Sequence, residues 1–307
     1  MTYADPMNDL KKGINKFAAE LERERRVAIL WLLGAIGAVS FMMTLVLLLI
    51  NPEGIDLQYT VTFGAFVPSV IVYLLLSRWY LKKSRKSFIK TLCDASGFKY
   101  RPKGCFGIAS AQKHGVIPPH STCTMETGLQ CDYRGTPLYV QELVLTALKQ
   151  DPKHKKRQKE FLRFWGLVVR VDLKRTVIGH TTVIPKPVIR VFFNRSFSGY
   201  DIITVNDKRF DKVYQVTTND KVDAKFLVNT AFREKMSSAQ KKLNAYWCEA
   251  SFKDNEILLV FQRFRPLIHI TPLWKPVTTK NLRENIEELE ALTQIVDALK
   301  SNQQLKL

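Results

Sequence analysis

Five residues able to ligate a transition metal fall between positions 105 and 131: Cys105, His114, His120, Cys123 and Cys131. Thiolates and imidazoles are good zinc ligands, so a metal site is the sharpest chemistry this stretch could carry. Its spacings are irregular and it has no C-x-x-C pair, so buried small cysteines and surface histidines account for the same residues. Asp220 and Asp223 fall in the first turn of a predicted helix, where capping and dipole complementarity explain two carboxylates without catalysis. His180, near a strand start with Asp172 and Arg175 close in sequence, has the chemistry of a general base. No nucleophile elbow accompanies it, and no Walker loop, dinucleotide glycine fingerprint or H-E-x-x-H motif occurs, so neither an enzyme nor a cofactor is expected.

The densest charge cluster is Lys153-His154-Lys155-Lys156-Arg157-Gln158-Lys159. It lies between two predicted strands and reads first as a solvated hairpin loop. Its functional reading is contact of Lys153, Lys155, Lys156, Arg157 and Lys159 with an anionic surface. Base-stacking aromatics do not interleave with the run, which argues against nucleic acid. Phospholipid suits it better, at about 1 kcal/mol per cation near the headgroups.

The elements that would position these groups begin with two uncharged apolar stretches, 27–50 and 57–77. The first would be about 36 Å long as a helix, enough to cross a hydrocarbon core of about 30 Å. Pro68 lies in the second, which membrane helices tolerate. Lys11, Lys12, Lys16, Arg23, Arg25 and Arg26 precede the first stretch, Arg78, Lys82, Lys83, Arg85, Lys86 and Lys90 follow the second, and the connection between them holds no Lys or Arg. The positive-inside rule then places both termini in the cytosol, with a two-pass hairpin in the membrane. Trp31, Trp79 and Tyr80 suit the aromatic belts. The expected organisation is a basic N-terminal helix over 1–26, a transmembrane hairpin over 27–81 and a cytosolic α+β domain over 82–307. The chain carries 47 Lys and Arg against 28 Asp and Glu, a formal charge of +19, and about a dozen of those cations thus report topology. In a reducing compartment Cys93 and Cys248, like the other three cysteines, would be free thiols.

Beyond an amphipathic neck ending at Gly97 and a loop-rich stretch, strands are predicted at 138–147, 164–173, 181–184, 188–193, 212–217, 245–252 and 256–264. The last two are joined by a turn at Lys253-Asp254-Asn255. Amphipathic helices are predicted at 220–243 and 281–300. The fold class is α+β, with a mostly antiparallel sheet and two amphipathic helices.

The segment from Phe210 to Leu227, FDKVYQVTTNDKVDAKFL, resembles the strand-to-helix pattern of an uncharacterised bacterial family, domain of unknown function 3137. The two apolar stretches, the Phe164-Trp165-Gly166-Leu167 strand, Thr181-Thr182-Val183-Ile184-Pro185 and the helix after Leu273-Trp274 agree in order. Asp223 stands where members usually carry Glu. The resemblance implies a membrane-anchored cytosolic α+β domain with no assigned chemistry. It also implies a shared complex with LemA-family membrane proteins, whose genes often lie beside those of members. The leading expectation is a non-enzymatic inner-membrane scaffold or docking module in contact with the lipid bilayer. The alternatives are a membrane-bound hydrolase or metal-dependent enzyme with dispersed residues, and a membrane-tethered nucleic-acid binder.

Overall fold

Residues 27–50 lie within one helix, α1 (Pro6–Ile50), in a computed structural model that describes residues 6–50, 66–150, 158–174, 176–186 and 199–304. By length and composition, α1 is the one helix among the described residues that is long and apolar enough to cross a membrane. The second apolar stretch, 57–77, lies partly outside the described residues; from Val67 it belongs to α2 (Val67–Ser96). The chain divides into two compact units, Met1–Leu92 with Ile268–Glu284, and Cys93–Leu267 with Asn285–Leu307.

In the first unit α1 and α2 meet through contacts that run in opposite chain order. Phe17 stacks on Phe88 with centroids 5.5 Å apart, Glu24 pairs with Lys83 at 3.7 Å, and the Ser40 and Ser69 hydroxyls lie 3.3 Å apart. Ala28, Leu32, Tyr80 and Leu273 form a small buried cluster between these contacts. Outside that seam the apolar side chains are bare: Leu30, Trp31, Leu33, Phe41 and Leu49 on α1, and Ile71 and Leu75 on α2, are exposed. The Ile268–Glu284 segment is fastened to α1 by polar contacts. Arg25 donates to both Glu22 carboxylate oxygens at 2.8 and 2.7 Å and to the Leu273 carbonyl at 2.9 Å, while Glu22 accepts from the Val277 amide at 2.9 Å. The Arg25 hydrogen bonds hold the Glu22 carboxyl down at about 2.

The second unit is built on a nine-stranded antiparallel sheet. In chain order its elements are β1 (Lys99–Arg101), α3 (Ile108–Gln112), β2 (Thr122–Tyr133), β3 (Thr136–Gln150), β4 (Gln158–Asp172), β5 (Thr181–Pro185), β6 (Asp201–Ile203), α4 (Lys208–Val213), β7 (Tyr214–Thr218), α5 (Lys221–Leu227), α6 (Thr230–Lys242), β8 (Trp247–Lys253) and β9 (Glu256–Gln262), followed by the body of α7 (Thr279–Gln304). The spatial order is β1-β2-β3-β4-β9-β8-β5-β7-β6. Cross-strand partners share a face, so the row Val140, Val169, Leu259, Ala250, Val183 and Val216 marks one side of the sheet. Phe232 of α6 packs on Phe252 of this side at 5.1 Å, and the apolar stripe of α7 (Ile286, Leu289, Leu292, Val296) is buried. The other side carries Leu143, Leu145, Val168, Leu258 and Val260 and is covered by α3 with Val116 and Ile117. Gly166 has no room for a side chain against β9: a Cβ there would lie 2.0 Å from the Phe261 carbonyl oxygen.

Several expected elements shift. The helix expected over 220–243 is two helices: Val228 leaves helical geometry, and the Asn229 side chain caps α6 by accepting from the Phe232 amide at 2.9 Å. The strand expected over 212–217 starts at Tyr214, because Asp207 caps the short helix α4 ahead of it. The stretch taken as loop-rich contains the twelve-residue strand β2. The unit also has more helices than the two expected. The strand expected over 188–193 lies outside the described residues.

Candidate functional site

Ser251 is the centre of a buried cluster of titratable side chains. It sits on β8 opposite Leu258 and Thr182, on the sheet side that α3 covers, and is fully buried. The segment after α3 brings His114 over it, with Nδ1 3.1 Å from the Ser251 hydroxyl and Nε2 3.3 Å from the Glu256 carboxylate. From the other side His180, just before β5, places Nε2 2.9 Å from the same hydroxyl and Nδ1 2.9 Å from the Tyr200 hydroxyl. One proton assignment gives every contact a donor with both rings neutral. Tyr200 donates to His180, His180 Nε2–H donates to Ser251, Ser251 donates to His114 Nδ1, and His114 Nε2–H donates to Glu256. Burial supports the neutral rings: it pushes His180 down to about 4 and His114 in the same direction.

The order Ser251, His114, Glu256 is that of a nucleophile, a base and an orienting acid. Ser251 nevertheless has no exposed surface, and its hydroxyl lies beneath the α3 segment with His114 over it, so a substrate carbonyl reaches Oγ only if that cover lifts. As it stands the chain of hydrogen bonds ties the α3 segment and the Tyr200 region to the sheet through a buried, neutral link.

Of the five candidate metal ligands, His114 is engaged in that link. Cys123 and Cys131 lie eight residues apart on the one strand β2, on the order of 25 Å. Cys105 lies beside Gln141, whose side chain accepts from its amide at 2.8 Å, and His120 Nδ1 lies 3.0 Å from the Pro118 carbonyl. Among the described residues no three His, Cys, Asp or Glu side chains come together as a metal-binding group. Burial pushes the Cys105 thiol to about 11 and that of Cys131 to about 12, which disfavours thiolate at neutral pH. All five cysteines are unbridged.

Lys153, Lys155, Lys156 and Arg157 of the basic run lie outside the described residues. Lys159 is exposed on β4, opposite Lys149 of β3, where those strands pair beyond the last residue matched to β2. Asp220 caps α5, accepting from the Val222 and Asp223 amides at 3.0 and 2.9 Å. Asp223 is buried and accepts from the Ile178 amide at 3.2 Å.

Open pockets also lie among the described residues. A groove of about 880 Å³ lies between α4 and α6, where Arg233 donates to Asp207 at 3.3 Å and to the Val228 carbonyl at 2.7 Å, and Tyr214 donates to Gln240 at 2.5 Å. These groups satisfy one another. In the first unit a pocket of about 380 Å³ between α1 and α2 is lined by Glu20, Arg23, Glu24, Trp31, Trp79 and Lys83. Sequence reading missed Ser251, Glu256 and Tyr200, because their meeting depends on strand register and not on any local motif.

A long apolar N-terminal helix and an α+β unit with an antiparallel sheet define the class of protein. The family model of DUF3137, described as a protein of unknown function, matches residues 162–301, from β4 into α7, and this is the family that the Phe210–Leu227 pattern resembles. No curated protein matches the chain. Among solved structures, the mycobacterial trehalose monomycolate transport factor A, TtfA, aligns over 70% of this chain and 93% of its own with 12% identity and a TM-score of 0.39. A likeness that weak carries no argument about fold or function.

Proposed function

We propose that the chain is a non-enzymatic scaffold of the bacterial inner membrane, anchored by a two-pass hairpin through 27–50 and 57–77, with both termini and the α+β part in the cytosol. One observation carries this reading: α1 and α2 pack on each other through a narrow seam while the rest of their apolar surface is bare. Water penalises such a surface by roughly 25 cal/mol per Å², whereas lipid does not. The cationic flanks give the orientation. The α+β part is then a docking module for a membrane-protein partner, with the LemA family as the first candidate, and its basic run at 153–159 touches anionic headgroups. Alkaline phosphatase fused after residue 55 should be active and a C-terminal fusion inactive; the reverse pattern overturns the topology. Cross-linking in intact membranes with mass spectrometry should recover a reproducible partner, and recovery of none overturns the scaffold reading.

The Ser251–His114–Glu256 order is the specific observation behind the rival reading, a membrane-bound hydrolase. The burial of Ser251 weighs against it. A fluorophosphonate probe should leave the native protein unlabelled; labelling lost in Ser251→Ala would favour the hydrolase.

A further inference from the structure

The turn that fastens onto α1 carries a bare indole. Lys275 donates its amide to the Pro272 carbonyl at 2.9 Å, closing a turn over Pro272–Lys275 that points its two central residues in opposite directions. Leu273 goes inward and is buried against Ala28, Leu32 and Tyr80. Trp274 goes outward, 64% exposed, with its ring 6.4 Å from that of Tyr73. A tryptophan exposed beside an otherwise apolar helix surface needs a solvent that suits both its ring and its N–H.

Two helices independently assign the turn the same depth. On α1 its contacts, Ala28 and Leu32, lie in the first two turns of the uncharged stretch, just past the Arg25 that donates to the Leu273 carbonyl. On α2 its contact, Tyr73, lies five residues before Arg78, the first charge after the second stretch. Five helical residues span about 7.5 Å. Both helices therefore put Trp274 at the boundary between apolar and charged surface, the level of the exposed Trp31 and Trp79. Lys275, also exposed, stands next to it.

We propose that the Pro272–Lys275 turn is a further membrane-contact element, with the Trp274 indole in the headgroup–acyl boundary of the inner leaflet and Lys275 at the phosphates. This rests on the membrane-anchor reading above and adds to it: a segment far along the chain, directly before α7, is held to the leaflet without crossing it. The occupant is lipid and not a protein, because the indole is continuous with the bare apolar surface of α1 and α2.

The test uses the full chain reconstituted in phosphatidylcholine–phosphatidylglycerol vesicles with brominated acyl chains, which quench tryptophan only at contact. Wild type, Trp31→Phe and Trp274→Phe are compared, with circular dichroism establishing that each folds; both residues are exposed, so neither change disturbs a core. Each variant should lose part of the lipid-quenched emission. If Trp31→Phe loses quenched emission while Trp274→Phe loses only unquenched emission, the turn does not touch lipid and the inference fails with the anchor intact. If brominated lipid quenches nothing, the membrane anchor itself fails, and this inference with it.

Discussion

Leu30 and Leu259 are the same residue in regular secondary structure, yet Leu30 is 68% exposed and Leu259 is sealed. The contrast extends through their units. Along the uncharged stretches of α1 and α2 many large apolar side chains face outward, while the Ser40 and Ser69 hydroxyls meet in the seam between the helices. In the sheet unit apolar side chains close the core, and a buried charge there is paired: Arg263, with no exposed surface, donates to Glu288 at 2.6 Å and to the Pro266 carbonyl at 3.1 Å, and Arg265 donates to the other Glu288 oxygen. One chain thus follows two solvent rules. Water accounts for the sheet unit, and the outer surface of α1 and α2 is what the proposed membrane anchor would place in hydrocarbon.

The sharpest way to break the water-type unit is to strand its buried charge. Glu288→Ala leaves Arg263 desolvated with only a carbonyl acceptor, and breaking a buried pair from one side costs about 3–5 kcal/mol. In urea titrations of the full chain in detergent, the Trp165 environment should unfold at a far lower midpoint, since Trp165 donates to Glu142 and Glu142 also accepts from the Leu267 amide. A shift equal to that of an exposed Glu→Ala control would mean that Arg263 is not desolvated.

The His114–Ser251–His180 link predicts acid sensitivity in the same unit. His180 is pushed from an ordinary value near 6.5 down to about 4, so the folded state prefers the neutral ring. The link's contribution is intact above about pH 6.5 and is lost as pH falls toward 4, where the unfolded chain takes up the proton first; the upper bound is about 3 kcal/mol. Physically, a proton added to either ring turns an acceptor into a donor and breaks the one-way chain of hydrogen bonds. Urea midpoints measured between pH 7 and pH 4 should fall for the wild type and fall less for His180→Gln. Parallel pH profiles would show that the link does not govern the loss.

An intermediate effect is expected where the first unit is fastened by polar contacts. Glu22→Ala removes the carboxylate that accepts from Arg25 and from the Val277 amide, a loss of roughly 1–2 kcal/mol. Limited proteolysis around 268–278 should accelerate while the sheet unit keeps its urea midpoint. A lowered sheet midpoint with unchanged proteolysis would mean that the two regions do not separate in this way.

How much of this was legible in the sequence follows from the same physics. The apolar stretch of α1 could be read directly, because twenty-four uncharged residues leave little room for another pattern. So could the β8–β9 hairpin, with Asp254 at positive φ in its turn, and the cap of α5 by Asp220. Strand β2 was hidden, since Thr, Gly and Gln weaken its alternation and its pairing to β3 supplies what propensity does not. The Ser251 cluster was hidden more deeply. Its members come from positions 114, 180, 200, 251 and 256, and only the strand order that sets β8 between β9 and β5 brings them together.

The smallest effect tests the hydrocarbon side of the comparison most directly. Ser40 and Ser69 face each other at 3.3 Å between α1 and α2, and Thr44 bonds back to the Ser40 carbonyl at 2.9 Å within α1. In lipid, a serine that loses its partner turns its hydroxyl to the carbonyl one turn earlier, so the inter-helix bond contributes only about 0.6 kcal/mol, the typical value for such pairs in membranes. A double-mutant cycle of Ser40→Ala and Ser69→Ala in bicelles should therefore give a small favourable coupling, with each single change nearly as costly as the pair. In the water-solvated reading the same hydroxyls would exchange freely with solvent, and the two changes would add without coupling. The sign and existence of that small term, more than its size, separate a helix pair made for lipid from one made for water.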